Sequence, residues 1–288
     1  MTEQQFLESY DAKKYPTPSL TSDIVAFCVS SEVEEKMNHR KLPQKTLNIL
    51  MVKRKEHPYK GMWALPGGFL REDETLEECA ARELKEETNV SNVYMEHVGN
   101  FSRVDRDPRT RVVTSAYMAL LNTRPQLVAD TDAEDTAWFK LKVIEKAKET
   151  RVEDNFKSYT SIYEICMDND TDCMKATVAK TTEFKGNTKN VKYTTKECEN
   201  LAFDHGEIIL MAVDKLRKSV EREDGAFNLV EETFTLKAIQ EVYELVLDTT
   251  VLAGNFRKKI APLVEETDKE VYSGSRKAKL YRRVIAEL

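Results

Sequence analysis

The segment Gly67–Val90, GGFLREDETLEECAARELKEETNV, constrains this chain more than any other. Thr75 followed three residues later by Glu78 makes a capping box, which starts a helix there. Asn89 suits the left-handed position that closes a helix. At about 100° per residue, Leu76, Cys79, Ala80 and Leu84 share one apolar arc. Glu83 and Glu87 fall inside that arc and Glu86 at its edge, whereas Glu77, Glu78, Arg82 and Lys85 lie outside it. A solvated helix sets its acids opposite the apolar stripe. Carboxylates three and four residues apart are within reach of one another, where they repel and resist burial. A hard divalent cation, Mg2+ or Mn2+, resolves the conflict because it prefers oxygen ligands. Arg82 alone cannot balance three acids.

Around this segment, DIVAFCV (Asp23–Val29) and TLNILMVKR (Thr46–Arg54) read as apolar, β-branched strands, with a polar connection between them. VYMEHVGNFSRV and RVVTSAYMALL (Arg111–Leu121) are further strands, and TAWFKL is a short one after the acidic loop ADTDAED. Strands alternating with a helix predict a mixed sheet covered by helices. Residues 1–20 read as a polar arm. The stretch of about 145–199 reads as an insertion with a small sheet of its own and a hairpin at KGNTKN. ENLAFDHGEIILMAVDKLRKSVE is a long amphipathic helix striped by Ile208, Ile209, Ala212, Leu216 and Val220. Beyond it come a helix capped by Thr235, a short basic helix and two strands around a Gly-containing turn. That is the order of a winged helix-turn-helix. The domains expected are therefore an arm (1–20), an α/β domain (21–222) and a winged domain (223–288).

The net charge of -6 excludes a chain that is basic throughout, so nucleic-acid binding has to come from a local patch. No apolar run approaches the ~18–20 residues of a membrane span, and the N-terminus lacks a signal-peptide core. The five cysteines, Cys28, Cys79, Cys166, Cys173 and Cys198, form no CxxC pair. Free thiols and a cytoplasmic setting are the expectation.

The acidic segment resembles the Nudix box, G-x5-E-x7-R-E-U-x-E-E-x-G-U, with U bulky and aliphatic. Gly68, Glu74, Arg82, Glu83, Leu84, Glu86, Glu87 and Val90 occupy its positions, and Asn89 replaces its second glycine. Asn tolerates that backbone conformation. GMWALPGGF upstream is also similar to the family. The resemblance implies an α/β/α sandwich on a mixed sheet and hydrolysis of a nucleoside diphosphate linked to another moiety. Carried over by position, Glu83, Glu86 and Glu87 bind Mg2+, with the Gly68 carbonyl as a further ligand. Glu74 and Arg82 brace loop and helix. The metal bridges phosphate oxygens and activates water. The box leaves the general base open between Glu134, in the acidic loop, and Glu86 or Glu87.

FSRVDRDPRTRVVTSAYMALL resembles the segment of Nudix proteins that recognise ADP-ribose. Arg103, Arg106 and Arg109 are candidate phosphate contacts, against the plainer reading of turn solubility and surface ion pairs. Arg54 follows a core strand and is placed to reach the cleft. Trp63 and Tyr59 are candidates to stack on adenine, although a core tryptophan fits Trp63 as well. His205 reads as a helix-start contact rather than a catalyst.

The C-terminal segment is similar to the winged domain of Nudix-related transcriptional regulators of NAD metabolism. The resemblance places Asn255, Arg257, Lys258 and Lys259 on a recognition helix and Arg276, Lys277 and Lys279 on a wing. Residues 226–288 carry 10 basic and 10 acidic side chains, but the runs 257–259 and 276–283 contain no acid. Such local patches suit phosphate contacts in double-stranded DNA. Two functions follow as expectations: a Mg2+-dependent hydrolase of ADP-ribose or a similar compound fused to a DNA-binding module, or a ligand-sensing regulator with little or no hydrolysis. The regulators it resembles are homodimers.

Overall fold

The structure is a computed structural model of the chain and describes residues 1–32, 44–127, 136–153, 155–222, 224–273 and 276–284. Helix α1 (Glu3–Ser9) precedes strands β1 (Ser19–Glu32), β2 (Gln44–Lys53), β3 (Trp63–Ala64) and β4 (Gly67–Phe69), then α2 (Leu76–Thr88). Strands β5 (Tyr94–Phe101), β6 (Val112–Leu121), β7 (Thr136–Glu153), β8 (Phe156–Asp168), β9 (Cys173–Lys185) and β10 (Thr188–Glu199) follow. Helices α3 (His205–Glu221), α4 (Asp224–Phe227), α5 (Leu236–Leu247) and α6 (Ala253–Ile260) lead to the ribbon β11 (Val264–Ser273) and β12 (Arg276–Arg283).

The main sheet runs β10-β9-β8-β7-β2-β1-β6-β5, with β3 on β2 and β4 on β1. β1 and β6 are parallel and their neighbours antiparallel, so the sheet is mixed. DIVAFCV is continuously apolar because both faces of β1 are covered. Ile24, Ala26 and Cys28 meet Ala80 and Leu84 of α2. Val25 and Phe27 point into the other core, with Ile208, Ile209 and Ala212 of α3. The result is the expected α/β/α sandwich. The same second core runs on through Val220 into Phe234, Ile239, Val242 and Phe256 of the C-terminal module.

The capping box of α2 forms, with the Thr75 hydroxyl accepting from the Glu78 amide and the Glu78 carboxylate from the Thr75 amide. Asn89 closes the helix in the left-handed region at φ 54°, as its position predicts. Thr235 caps α5 through the Ala238 amide. One reading of the sequence is extended and one corrected. The arm holds a helix, α1, capped by Thr2 and Gln5 and exposed along its length. Residues 145–199 do not form a separate sheet. TAWFKL is the start of an 18-residue strand, β7, whose pairing with β8 continues from Lys140 to Glu153 past one bulge. Lys and Glu dominate its far half and weaken its strand signature, but the ladder to β8 satisfies its backbone.

Candidate active site and winged module

The carboxylate edge of α2 is fixed from below by β1 and β4. The Ser22 hydroxyl donates to the Leu76 carbonyl (2.8 Å), tying the first turn of the helix to β1. β4 brings Gly68 so close to α2 that a Cβ there would sit 1.9 Å from Oε1 of Glu83. Only glycine permits that approach. Glu74 takes both Nε (2.9 Å) and Nη2 (2.7 Å) of Arg82 and accepts from the Arg71 amide (3.0 Å). This fork holds the Glu74 carboxyl down to about 2 and raises the Arg82 guanidinium. Glu74 and Arg82 thus stand where a brace between loop and helix requires. Arg82 Nη1 reaches Glu83 at 2.6 Å and Glu86 at 3.4 Å. Burial raises the Glu83 carboxyl against the pull of Arg82, and Glu86 and Glu87 add to the rise. Glu86 is half-exposed. Glu87 accepts from the Thr136 hydroxyl (2.5 Å) at the start of β7, a contact without a sequence signal.

No three carboxylates converge into a ready cation cage among the described residues. Arg82 lies between Glu83 and Glu86 instead. The donor chemistry nonetheless fits a hard divalent ion, because oxygen ligands share one helix edge. Glu134 lies outside the described residues.

A second cluster faces the other side of β4. Phe69 follows Gly68 and, by strand alternation, turns its exposed ring to the Arg109 guanidinium, 5.6 Å from the centroid. Arg109 is forked onto Asp107 at 2.8 and 3.1 Å. Arg54 donates to the Pro58 carbonyl (2.7 Å) and covers the Phe203 ring at 4.8 Å. Burial lowers the Arg54 guanidinium and the nearby Arg109 lowers it further, with Asp107 and Glu56 opposing. Two guanidinium groups are therefore held beside two phenyl rings at the rim. Tyr59, partly exposed, packs edge-on to Phe203 at 4.7 Å.

Three substrate-binding expectations change. Trp63 is 2% exposed and packs edge-on against Phe139 (4.7 Å), so it is a core residue and no adenine platform. Arg106 is buried, forked onto Asp204 at 3.0 and 2.8 Å and within 3.4 Å of Asp23, which leaves it no phosphate-facing donor edge. Arg103 is half-exposed but engaged by Asp105 (2.8 Å) and Glu207 (3.1 Å). His205 opens α3, as its position suggests, and its Nδ1 accepts from the Leu65 amide (2.9 Å). Burial lowers its pKa, with Asp23 and Asp204 opposing. The sequence shows LAFDHGE but gives no sign that Asp204 and Glu207 reach back to the arginines of the 102–110 loop.

In the C-terminal module, α6 buries Phe256 and Ile260 and exposes Asn255, Arg257 and Lys258. Lys259 is also exposed, but its ammonium donates to the Tyr243 hydroxyl (3.0 Å) over that ring. The wing is not free of acids. β11 pairs Glu270 with Lys277 (3.1 Å), Glu266 with Lys279, and Glu265 with Arg282 (2.5 Å). An acid-free run in sequence thus meets acids across the strand. Arg276 lies at the start of β12, opposite Ser273. No helix among the described residues is long and apolar enough to cross a membrane.

Residues 15–160 match the NUDIX domain family, and residues 226–283 match the NrtR DNA-binding winged helix domain. The chain is 28% identical over 290 residues to the ADPR responsive transcriptional repressor NtrR of Acinetobacter baylyi, covering 99% of this chain and 90% of that one. It is 40% identical over 103 residues to the ADP-ribose pyrophosphatase of Methanocaldococcus jannaschii, covering 36% of this chain and 60% of that one. A MutT/nudix family protein from Enterococcus faecalis superposes with a TM-score of 0.70 at 27% identity, over 99% of this chain and 94% of that one. With its glutamate-edged helix on a mixed sheet and its winged module, this chain belongs to the Nudix family.

Proposed function

We propose that the chain is a Mg2+- or Mn2+-dependent pyrophosphohydrolase of ADP-ribose or a similar nucleoside diphosphate derivative, joined to a winged helix that binds double-stranded DNA. In this reading residues 21–222 are the Nudix domain, 223–288 the winged domain, and the working unit is a homodimer. One observation carries it: Glu83 is forced against Gly68 on an edge shared with Glu86 and Glu87, where burial raises its proton affinity. Arg82 faces Glu83 and Glu86, and a divalent ion would offset the charge that one arginine leaves. The relatives named for ADP-ribose supply the substrate class.

Glu83, Glu86 and Glu87, with the Gly68 carbonyl, would hold the ion. When bound, it supplies charge neutralisation at the phosphate and acidifies water. The fork of Arg82 onto Glu74 keeps the helix edge in place. Arg54 and Arg109 bind the anionic substrate at the rim, and Phe69 offers a ring face there. Either Glu86 or Glu87 takes the proton from water. Of the two, Glu86 is the more exposed, and Glu87 is engaged by Thr136.

A second reading is a ligand sensor with little hydrolysis. It is favoured by Arg82 lying between Glu83 and Glu86. Incubation with ADP-ribose and Mg2+, followed by detection of AMP, separates the two. Hydrolysis predicts AMP from the wild type and a loss of about 100-fold or more in Glu86→Gln. Equal inertness of both would leave the sensor. The DNA half predicts that Arg257→Gln/Lys258→Gln weakens binding to duplex upstream of the protein's own gene. Unchanged affinity would remove α6 from the interface.

A further inference from the structure

The long ribbon β7–β10 is the part of the chain that neither the hydrolytic site nor the winged module uses. One segment of it has a local charge opposite to that of the whole protein. Residues 180–196 carry five lysines, Lys180, Lys185, Lys189, Lys192 and Lys196, and one acid, Glu183, against a net charge of -6 for the chain. Lys180 is consumed by Asp214 (2.7 Å). The other four, and Lys157 on β8, are exposed, and none has an acidic partner within 4.0 Å among the described residues. Three other bases of the ribbon are paired, Lys146 with Glu164, Lys148 with Glu145 and Arg151 with Glu153. Of the lysines with no acidic partner among the described residues, Lys157, Lys185 and Lys189 lie at its far end and Lys192 midway along it.

Strand register arranges them. Val152, Lys157, Phe184 and Lys189 stand in one cross-strand row, and so share one face. Lys189 covers the Phe184 ring at 5.8 Å, and Tyr159 meets that ring edge-on at 6.2 Å. Lys192 points to the opposite face, and Lys185 lies at the hairpin. Both faces therefore present a lysine, with Glu149 and Glu183 beside Lys192 on the second.

Topology sets where the tip lies. β7 leaves β2 after Lys140, opposite Asn48. Beyond that point Lys142 and Ile144 line a cleft with Leu245, Val246 and Asp248 at the end of α5. Lys45, near the start of β2, meets Glu241 of α5 at 4.0 Å. The ribbon thus departs from the sheet beside α5, the helix directly before α6. From Glu145 to Glu153 it extends a further ~26 Å at about 3.3 Å per residue.

We propose that the tip of this ribbon, through Lys157, Lys189 and Lys192, is a second contact for the phosphate backbone of duplex DNA. It engages DNA flanking the segment held by the winged helix, and the inference rests on the DNA-binding reading above. A rod-like polyanion fits lysines on both faces. A single strand would need free rings for base stacking, and here Phe184 is covered by Lys189 and abutted by Tyr159.

The test measures fluorescence anisotropy of a ~40-bp mixed-sequence duplex and a single strand of equal length, titrated with the full-length protein between about 50 and 200 mM KCl. The wild type is compared with Lys157→Gln/Lys189→Gln/Lys192→Gln and with Arg257→Gln/Lys258→Gln. All three ribbon lysines are exposed, so circular dichroism and AMP release stay at wild-type level in the ribbon variant. Each lost phosphate contact lowers the slope of log affinity against log salt by about 0.9. The expected result is a slope lower by about 2–3 on the duplex and at least tenfold weaker binding near 0.1 M salt. A ribbon variant equal to wild type, while the α6 variant loses affinity, overturns the ribbon contact and leaves the winged reading standing. A loss confined to the single strand overturns the duplex assignment. A wild type that binds no duplex overturns both readings.

Discussion

Gly68→Ala isolates the one steric contact on which the candidate metal edge depends. The added methyl would lie 1.9 Å from Oε1 and 2.5 Å from Cδ of Glu83, against roughly 3.5–4.0 Å for an ordinary contact. What must give is the far end of a flexible side chain, so Glu83 retreats by about 1.5 Å rather than β4 separating from β1. Forcing such a side chain off its rotamer costs about 0.5–1.5 kcal/mol. Replacing glycine where alanine is tolerated returns about 0.4–1 kcal/mol through the unfolded chain. The net change in stability is therefore about 1 kcal/mol or less, and the melting temperature moves by no more than about 4 °C. Function is hit harder, because a misplacement near 1 Å costs about 100-fold in rate, or about 2.7 kcal/mol of barrier. The assay pairs AMP release from ADP-ribose with Mn2+ binding followed by electron paramagnetic resonance, alongside a thermal melt. The expected signature is a near-normal melt, weakened Mn2+ binding and about 1% of the rate. A variant that binds Mn2+ and turns over within threefold of wild type (about 0.6 kcal/mol) would refute the claim that Gly68 is there to admit Glu83.

Other perturbations test the rest of the site. Arg106→Ala strands Asp204 and Asp23, both buried, and should cost about 3–5 kcal/mol in urea denaturation; a loss under 1 kcal/mol would contradict the pairing. His205 has its pKa lowered from 6.5 by burial, with Arg106 and Arg54 reinforcing and Asp23 and Asp204 opposing. The unfolded chain takes up this proton first, so stability falls as pH drops below about 6.5. His205→Asn, which keeps an acceptor for the Leu65 amide, should flatten that part of the stability curve between pH 7 and 5. A curve parallel to wild type there would show that another group governs it. Arg54→Ala removes one of two rim cations and should raise KM for ADP-ribose about 10- to 100-fold with kcat nearly unchanged; a fall in kcat at constant KM would place Arg54 at the reacting phosphate instead.

The carboxylate edge was legible because it breaks a rule of helix patterning. Glu83 and Glu87 continue an apolar stripe, a local anomaly that needs no tertiary knowledge. The caps at Thr75, Asn89 and Thr235 were legible for the same reason, since each acts on a helix end within four residues. What stayed hidden acts over long separations in sequence. Arg106 meets Asp204 across 98 residues, and no spacing rule distinguishes it from Arg109, which faces the rim. Trp63 looks the same in sequence whether it stacks on a ligand or on Phe139. The wing misled in a similar way: acids absent from 276–283 arrive from β11 across the ribbon. The length of β7 was hidden because solvent-facing Lys and Glu carry no apolar alternation, although their backbones pair as regularly as those of the core.

Helix α3 makes the two halves of the molecule mechanically one. Its first turn and the residue before it carry Asp204, His205 and Glu207, which hold Arg106, the Leu65 amide and Arg103. Glu207 also accepts from the Thr195 amide (3.0 Å), so β10 is tied to the same turn. At its far end, Leu216 and Val220 share a core with Phe234, Ile239 and Val242, and Arg217 donates to the Val246 carbonyl (3.2 Å) at the end of α5. Severing the Arg106–Asp204 pair costs several kcal/mol, comparable to the ~5.5 kcal/mol needed to drive a two-state equilibrium from 1:99 to 99:1. Moving the 102–110 loop by an ångström is therefore easier with α3 than without it. A displacement of α3 reaches α5 through packed side chains, which reposition rather than compress. Arg109 and its partner Asp107 belong to that same loop. The 102–110 loop and α5 are thus joined through one helix buried at both ends.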